Sequence, residues 1–333
     1  MGARRSVFDL GSYKIAVVIP AFGVERHIDA VLAAIPSYVS SVIVVDDASP
    51  DATAAKVQER ALEDDRIILL RHEKNRGVGG ATVTGFRKAL ELSAEIVVKV
   101  DGDGQMPLEH MPDLLWPLIL GQADVTKGNR FRDFVSLRNM PPARRIGNAG
   151  LGFLAKAATG YWNCLDPANG FVASRTEVLR QMPLEALARS FFFEISFLAQ
   201  LYLLGACVKD VPMPARYGSE ASNLSIRKVL LEFPPRLVRT FVRRVVLKYW
   251  VYDFSVATLY VIAGVPLLLF GVGFGGLKWL EYAERQVAAP TGTVMLATLP
   301  VILGFQLLLS AVTIDLQSVP REPISGPLSG ARA

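Results

Sequence analysis

No charged residue occurs between Phe254 and Leu277, or between Gln286 and Ile314. Each run is longer than the roughly 20 apolar residues needed to cross a bilayer. Core helices of soluble domains seldom run so long without a charge. The chain is therefore expected to carry two transmembrane helices, near 254–278 and 293–316, joined as a hairpin. Arg227, Lys228, Arg236, Arg239, Arg243, Arg244 and Lys248 crowd the approach to the first run, opposed only by Glu232 and Asp253. Between the runs, Lys278 and Arg285 are balanced by Glu281 and Glu284. The positive-inside rule then places everything before the first span, and the tail, in the cytoplasm. A multi-pass protein of an inner (cytoplasmic) membrane is the expectation. The net charge of +5 tracks this membrane approach, so a membrane is the expected partner and nucleic acid is not.

Residues 225–253 form a basic amphipathic juxtamembrane segment, interrupted by Pro234-Pro235. Leu237, Val238, Phe241, Val245 and Val246 make an apolar stripe opposite arginines, which suits a helix lying in the membrane interface. The alternative is a solvated helix packed on the preceding domain. Residues 1–13 form an N-terminal extension without an apolar signal core. The tail, 317–333, reads as disordered. Cys164 and Cys207 fit no metal or disulfide framework and are read as reduced structural thiols.

Residues 14–101 alternate short β-branched runs with helical patterns. "KIAVVIP", "SVIVVDD", "IILLRHE" and "EIVVKVD" are the runs, with helices between them. Near-continuous apolar strands separated by helices predict an α/β fold, a mainly parallel sheet flanked by helices. Ligands of such sheets bind at the carboxyl ends of the strands. Glu25, Asp46, Asp47, Asp101 and Asp103 fall at or near those ends. A further strand, "ADVTKGNRF", a helix near 143–160, two short strands ("GFVASR", "ACVKDVPM") and an apolar helix carrying Glu194 complete a domain over 14–224.

"VKVDGDGQMP" holds the densest chemistry. Asp-Gly is a turn signal, so a plain turn is one reading. The other is a cation site. Alternate residues project to one side, so Asp101 and Asp103 face together and Gln105 adds a third oxygen. Hard oxygen ligands suit Mg²⁺ or Mn²⁺, which complete their shells with phosphate oxygens and water. Competing motifs fail. The first strand ends "IPAFGVE", without the glycine fingerprint of dinucleotide-binding folds, and no P-loop occurs. His27, His72 and His110 are scattered and read as surface or hydrogen-bonded core histidines.

"VVIPAFGVE", "IVVDDASPDAT", "NRGVGGA", "VDGDGQMP", "GNRF", "LDPANGF" and "ARYGSEASNLS" occur in one order between residues 17 and 225, and with the two apolar runs the pattern extends over about 14–316. This ordered set resembles the family 2 glycosyltransferases with the GT-A fold. With the two C-terminal spans it looks like their polyprenyl-phosphate branch. That branch includes dolichol-phosphate mannose synthases and bacterial undecaprenyl-phosphate glucosyl- or aminoarabinosyltransferases. The resemblance implies an inverting, metal-dependent transfer of sugar from a nucleotide-sugar to a polyprenyl phosphate. It implies that Pro20, Ala21, Phe22, Glu25 and Gly102 line the nucleotide-sugar, that Asp47 bonds the base with Asp46 orienting the loop, and that Gly80 allows close backbone approach. Asp101, Asp103 and Gln105 would hold the metal. Arg130 and Arg144 (or Arg145) would meet the acceptor phosphate, and Arg216 would clamp the donor diphosphate. Asp166 would lie near the sugar. Glu194 would touch sugar hydroxyls or pair with an arginine. The sequence departs from many relatives after Arg216, where Ser222-Asn223 replaces Ser-Lys. A processive polysaccharide synthase of the same superfamily is disfavoured by the absence of Gln-x-x-Arg-Trp. A non-catalytic membrane scaffold is disfavoured by the intact acid motif. The glycine-rich "FGVGFGG" suggests a homo-oligomer.

Overall fold

In the computed structural model, residues 9–132, 142–214 and 226–328 are described, with side chains from 150 and 232 onward in the last two stretches. The chain forms two units: one runs to Phe241 and resumes at Pro320, the other is Val242–Val319.

The first unit is built on seven strands: β1 (Ile15–Ala21), β2 (Ser41–Asp46), β3 (Ile67–Arg71), β4 (Ile96–Lys99), β5 (Val125–Asn129), β6 (Val172–Arg175) and β7 (Val208–Pro212). Their order across the sheet is β3-β2-β1-β4-β6-β5-β7. The first four are parallel, β6 is antiparallel to both neighbours, and β7 is parallel to β5. The sheet is thus mixed, with a wholly parallel half from β3 to β4. Helices α1 (Ile28–Ala33), α2 (Thr53–Glu63) and α3 (Val78–Glu91) make the crossovers of that half. β1 is buried along its whole length, which accounts for its unbroken apolar run. Gly85 brings α3 onto the sheet, because a Cβ there would lie 2.2 Å from Val18 Cγ1.

The strands of the parallel half end at different heights. β2 runs to Asp46, opposite Ala21, whereas β4 ends at Lys99, opposite Val18. The stagger leaves a step at the carboxyl edge beside the end of β1. It also accommodates Pro20. The Val18 carbonyl bonds Val100 N on the β4 side, so the amide that Pro20 lacks would have faced the same side, beyond the last rung of β4.

Beyond β4 come α4 (Met111–Ile119), α5 (Pro142–Thr159), α6 (Thr176–Gln181), α7 (Phe193–Leu204) and α8 (Ile226–Val246). The expected break at Pro234-Pro235 does not occur: α8 runs through both prolines. Each removes a helical hydrogen bond, and packing compensates. Leu237 and Phe233 lie against Ala155 and Ala158 of α5, Ile195 of α7 and Phe192, the residue just before α7. The expected apolar stripe is accordingly split. Leu237 is buried in this domain cluster, while Val238, Phe241 and Val246 are exposed.

The tail, expected to be disordered, is ordered over its described part. Asp124 is fully buried and accepts the backbone N–H groups of Cys207 (2.8 Å), Ile324 (3.0 Å) and Ser325 (2.9 Å). Arg175 donates to Gly326 O at 2.9 Å, and Leu328 joins the main core. A buried carboxylate needs such donors, and the tail supplies two of them. The polar, proline-rich composition that suggested disorder carries the backbone bonds here, with Leu328 as the apolar anchor.

The second unit contains a π-helical turn (Leu247–Tyr252), α9 (Val256–Glu284) and α10 (Thr291–Gln317). α9 and α10 are both long and apolar enough to cross a membrane, and their apolar windows are only 22% and 11% buried. The two helices approach at small residues. A Cβ on Gly304 would lie 2.7 Å from Leu268 N, and one on Gly271 2.8 Å from Val301 N. Gly275 also faces α10, at 3.1 Å from Ala297 Cβ. Two of the glycines behind the expected homo-oligomer, Gly271 and Gly275, are therefore used within the hairpin.

Arg244 is not on the basic surface that the sequence suggested. It is buried, 1% exposed, and grips Asp315 through both terminal nitrogens at 2.6 and 3.0 Å. Tyr249 donates its hydroxyl to the same carboxylate at 2.7 Å. This clasp ties the end of α8 to the end of α10. Arg244→Leu is expected to destabilise the protein by about 3 kcal/mol, since removing one partner of a buried pair strands the other. A thermal melt in detergent checks this; an unchanged midpoint would show the clasp to be energetically idle.

Candidate active site

The step at the carboxyl edge is filled by the turn after β4. Gly104 has φ +73°, the left-handed conformation that closes the turn, and Gln105 N donates to Asp103 Oδ1 at 3.0 Å. Gly102 lies beside β1: a Cβ there would be 3.6 Å from Pro20 O and 3.2 Å from Val24 Cγ2. The segment is thus a turn that also displays two acids, so the two readings of "DGDGQ" are compatible. Burial raises the Asp103 carboxyl above its ordinary pKa; the amide of Gln105 opposes the shift and the Asp101 charge adds to it. Two adjacent carboxylates, one reluctant to ionise, are a donor set suited to a hard divalent cation. No group of three or more His, Cys, Asp or Glu side chains placed to hold a metal ion occurs among the described residues. Protein groups would thus fill only part of a cation's shell, as is usual for Mg²⁺ and Mn²⁺.

Behind the acids lies a lysine that the sequence reading passed over. Lys99 is 1% exposed and donates from Nζ to Asp101 Oδ1 at 2.6 Å and to Glu194 Oε1 at 3.1 Å. Burial alone would push its pKa down; Asp101 and Glu194 outweigh this, and the net shift is upward. Glu194, left open between sugar hydroxyls and an arginine, pairs with this lysine. Gly170 makes the arrangement possible, because a Cβ there would sit 2.5 Å from Asp101 Oδ2 and 2.7 Å from Lys99 Nζ.

Arg130 and Asp166 come together. Arg130 meets Asp166 through Nε at 2.8 Å and a terminal nitrogen at 3.1 Å. Asp166 is buried, while the arginine side chain is 40% exposed. The acid thus fixes the orientation of a guanidinium whose side chain is partly exposed. Nearby Lys127 is buried, donates to Asn169 O, and has its pKa lowered by burial.

Across the step, the segments after β1 and β2 are stitched together. Gly23 N donates to Ser49 Oγ, Val24 N to Thr53 Oγ1, and Ala52 N to Glu25 Oε2 at 2.9 Å. Glu25 thereby caps the approach to α2. Phe22 stands exposed at the end of β1. Asp46 accepts Ser49 N and lies 3.6 Å from Arg71 Nε. Asp47 accepts from His72 Nδ1 at 2.6 Å and Arg76 N at 2.8 Å. His72, one of three histidines read as scattered, therefore belongs to the site. Its spacing carries no signal, because β3 delivers it from a separate strand. In "NRGVGGA", the glycines in closest contact are Gly77 and Gly79, whose Cβ atoms would strike Arg189 O and Ala188 O at 2.3 and 2.0 Å. At Gly80 only Arg76 Cβ lies in the way. Arg144 lies in α5 with its side chain outside the described residues, as is Arg145, and Arg216 with Ser222-Asn223 is outside them altogether.

The model of the family "Glycosyl transferase family 2" matches residues 16–182. A UDP-N-acetylglucosamine–dolichyl-phosphate N-acetylglucosaminyltransferase of Methanococcus voltae is 30% identical over 190 residues, covering 53% of this chain and 75% of that protein. An undecaprenyl-phosphate mannosyltransferase of Micrococcus luteus is 29% identical over 203 residues, covering 60% and 82%. Glucosyl-3-phosphoglycerate synthase from Mycobacterium tuberculosis, solved with Mn²⁺, UDP-glucose and phosphoglyceric acid, shares the fold. Its TM-score is 0.50 at 22% identity, covering 73% of this chain and 85% of that one. With the family match spanning half of the sequence, the chain belongs to glycosyl transferase family 2.

Proposed function

We propose that the protein transfers a sugar from a nucleotide-sugar to a polyprenyl phosphate, with inversion at the anomeric carbon, and so makes a lipid-linked sugar. The observation that carries this reading is the Asp101–Asp103 turn at the carboxyl edge of the parallel half-sheet. The relatives' polyprenyl-phosphate acceptors and the two apolar helices support it. The catalytic domain would face the cytoplasm, since the basic residues precede the first span. Tethered by its hairpin, the enzyme shares the membrane with an acceptor that cannot leave it.

The acceptor needs little activation. A phosphate monoester has a second pKa of about 6 and is mostly dianionic at neutral pH. Its oxygen attacks the anomeric carbon, the bond from that carbon to the donor's β-phosphate oxygen breaks, and the nucleoside diphosphate leaves with the electron pair. Asp101 and Asp103, with Gln105, would hold Mg²⁺ or Mn²⁺, which when bound supplies positive charge to the diphosphate. Pro20, Ala21, Phe22, Glu25, Gly80 and Gly102 would line the nucleotide, with Asp46 and Asp47 at the base. Asp166 would present Arg130 in a fixed orientation toward the acceptor phosphate. Arg144 would share that phosphate, and Arg216 would clamp the leaving diphosphate. Glu194 would act through Lys99 on Asp101, as a positioning residue.

The test is transfer from radiolabelled UDP- and GDP-sugars to undecaprenyl phosphate in detergent, with Mn²⁺ or EDTA. A metal-dependent glycolipid is expected; no product from any donor, with no metal-dependent nucleotide binding, would sink the proposal. Gly170→Ala is expected to lower turnover about 10²-fold, the usual cost of an ångström of misplacement at reacting groups. Steady-state kinetics at saturating donor checks it, and full activity would mean that Asp101 need not stay where it is.

A further inference from the structure

Asp47 is held at the carboxyl edge by its own backbone, whose N–H donates to Ala21 O at 2.8 Å. Its side chain is 3% exposed, and its two oxygens are used differently. Oδ1 accepts two hydrogen bonds, from His72 Nδ1 at 2.6 Å and Arg76 N at 2.8 Å. An ionised carboxylate only accepts, so His72 carries its hydrogen on Nδ1. The ring is fixed from behind by Thr84 Oγ1, 2.9 Å from Nε2, and His72 N is bonded to Asp46 O. Both lone pairs of Oδ1 are therefore taken. Oδ2 is buried and has no hydrogen-bond partner among the described residues. An acceptor left in that condition is costly, so a ligand donor belongs there.

We propose that this single open oxygen reads the nucleobase, and that it selects a uridine rather than a guanosine nucleotide as sugar donor. The inference rests on the nucleotide-sugar reading above. Uracil presents one imide N–H between two carbonyls, which one carboxylate oxygen satisfies. Guanine presents two parallel N–H groups, N1–H and N2–H, which match the two oxygens of a free carboxylate. With Oδ1 saturated by His72 and Arg76, the second guanine donor loses its acceptor and is left unpaired in a desolvated site. Cytosine presents a lone pair at N3 and meets Oδ2 lone pair to lone pair. Thymine shares the uracil edge and is not distinguished by this contact.

Asp47→Asn turns the same geometry into a base switch. The donors from His72 and Arg76 require an acceptor, so they hold the asparagine Oδ1 where the carboxylate Oδ1 was. The amide nitrogen then occupies the place of Oδ2 and offers an N–H. That N–H opposes the N3–H of uracil and matches the N3 lone pair of cytosine.

The experiment is competition binding of UDP, GDP and CDP to the full-length protein in detergent with Mn²⁺. For the wild type, UDP is expected to bind at least about tenfold more tightly than GDP or CDP, as when a site's hydrogen bonds fit one edge only. In Asp47→Asn the UDP-to-CDP affinity ratio is expected to fall about 100-fold or more. His72→Ala, which frees a lone pair of Oδ1, is expected to narrow the UDP-to-GDP ratio. Each ratio is taken within one protein, so a lower folded fraction does not move it. GDP binding as well as UDP to the wild type, or an unchanged ratio in either variant, overturns the base assignment while leaving the glycosyltransferase reading intact. A wild type that binds none of the three, with or without Mn²⁺, overturns both.

Discussion

Asp103→Ala is expected to cut sugar transfer by about 10³-fold, the scale of losing a main electrostatic stabiliser of the leaving group, while leaving the fold at least as stable as before. The two halves of the expectation have one cause. Asp103 accepts a hydrogen bond from the backbone N–H of Gln105 through Oδ1. Its pKa is raised by burial, and the neighbouring Asp101 charge adds to that. A carboxyl whose folded pKa is raised binds its proton more tightly folded than unfolded, so its ionised form costs stability at neutral pH. That cost is relieved as pH falls through the raised pKa, above the ordinary 3.8. The alanine variant removes the cost, and its stability lacks this acid-side gain. Mn²⁺ reverses the ranking, because a ligand that binds only the folded state raises the midpoint of unfolding. Thermal melts with and without Mn²⁺ therefore read the site apart from turnover. A variant that keeps the wild-type Mn²⁺ shift would remove Asp103 from the metal set.

The parallel half of the sheet was readable because β1, β2 and β4 are buried on both faces and the helices are not, so the periodicity changes at each boundary. The acid turn was readable for the same reason, since it ends such a strand. Lys99 was missed although it belongs to the alternating series Lys99, Asp101, Asp103; a charge inside an apolar strand was the available signal. His72 was not legible, because only the parallel pairing of β2 with β3 brings it to Asp47. The order of the tail was equally hidden. Its partner, Asp124, lies 200 residues away from Ile324, and local composition cannot report a backbone bond at that distance. Pro234 and Pro235 argued for a helix break by a sound local rule, which the burial of Leu237 overrode.

Lys99→Met is expected to be the most destabilising substitution in the site, costing about 3–5 kcal/mol, the range for removing one partner of a buried ion pair. The ammonium is 1% exposed and serves two acids, so its loss strands Asp101 and Glu194 together. Methionine fills nearly the same volume, which keeps a cavity from confusing the result. Glu194 is the less exposed of the two acids, with its side chain 12% exposed against 33% for Asp101. Glu194→Gln should therefore relieve much of the damage. The double variant is expected to melt above Lys99→Met alone, a coupling that a double-mutant cycle reads directly. Mn²⁺ should also rescue the single variant, since a cation on Asp101 replaces part of the missing charge, and the Mn²⁺ shift should exceed that of the wild type. If Lys99→Met melts like the wild type, or if Glu194→Gln adds to the damage, the lysine is not the counter-charge of this site. The buried pairing would then not be what fixes Asp101 while the donor is absent.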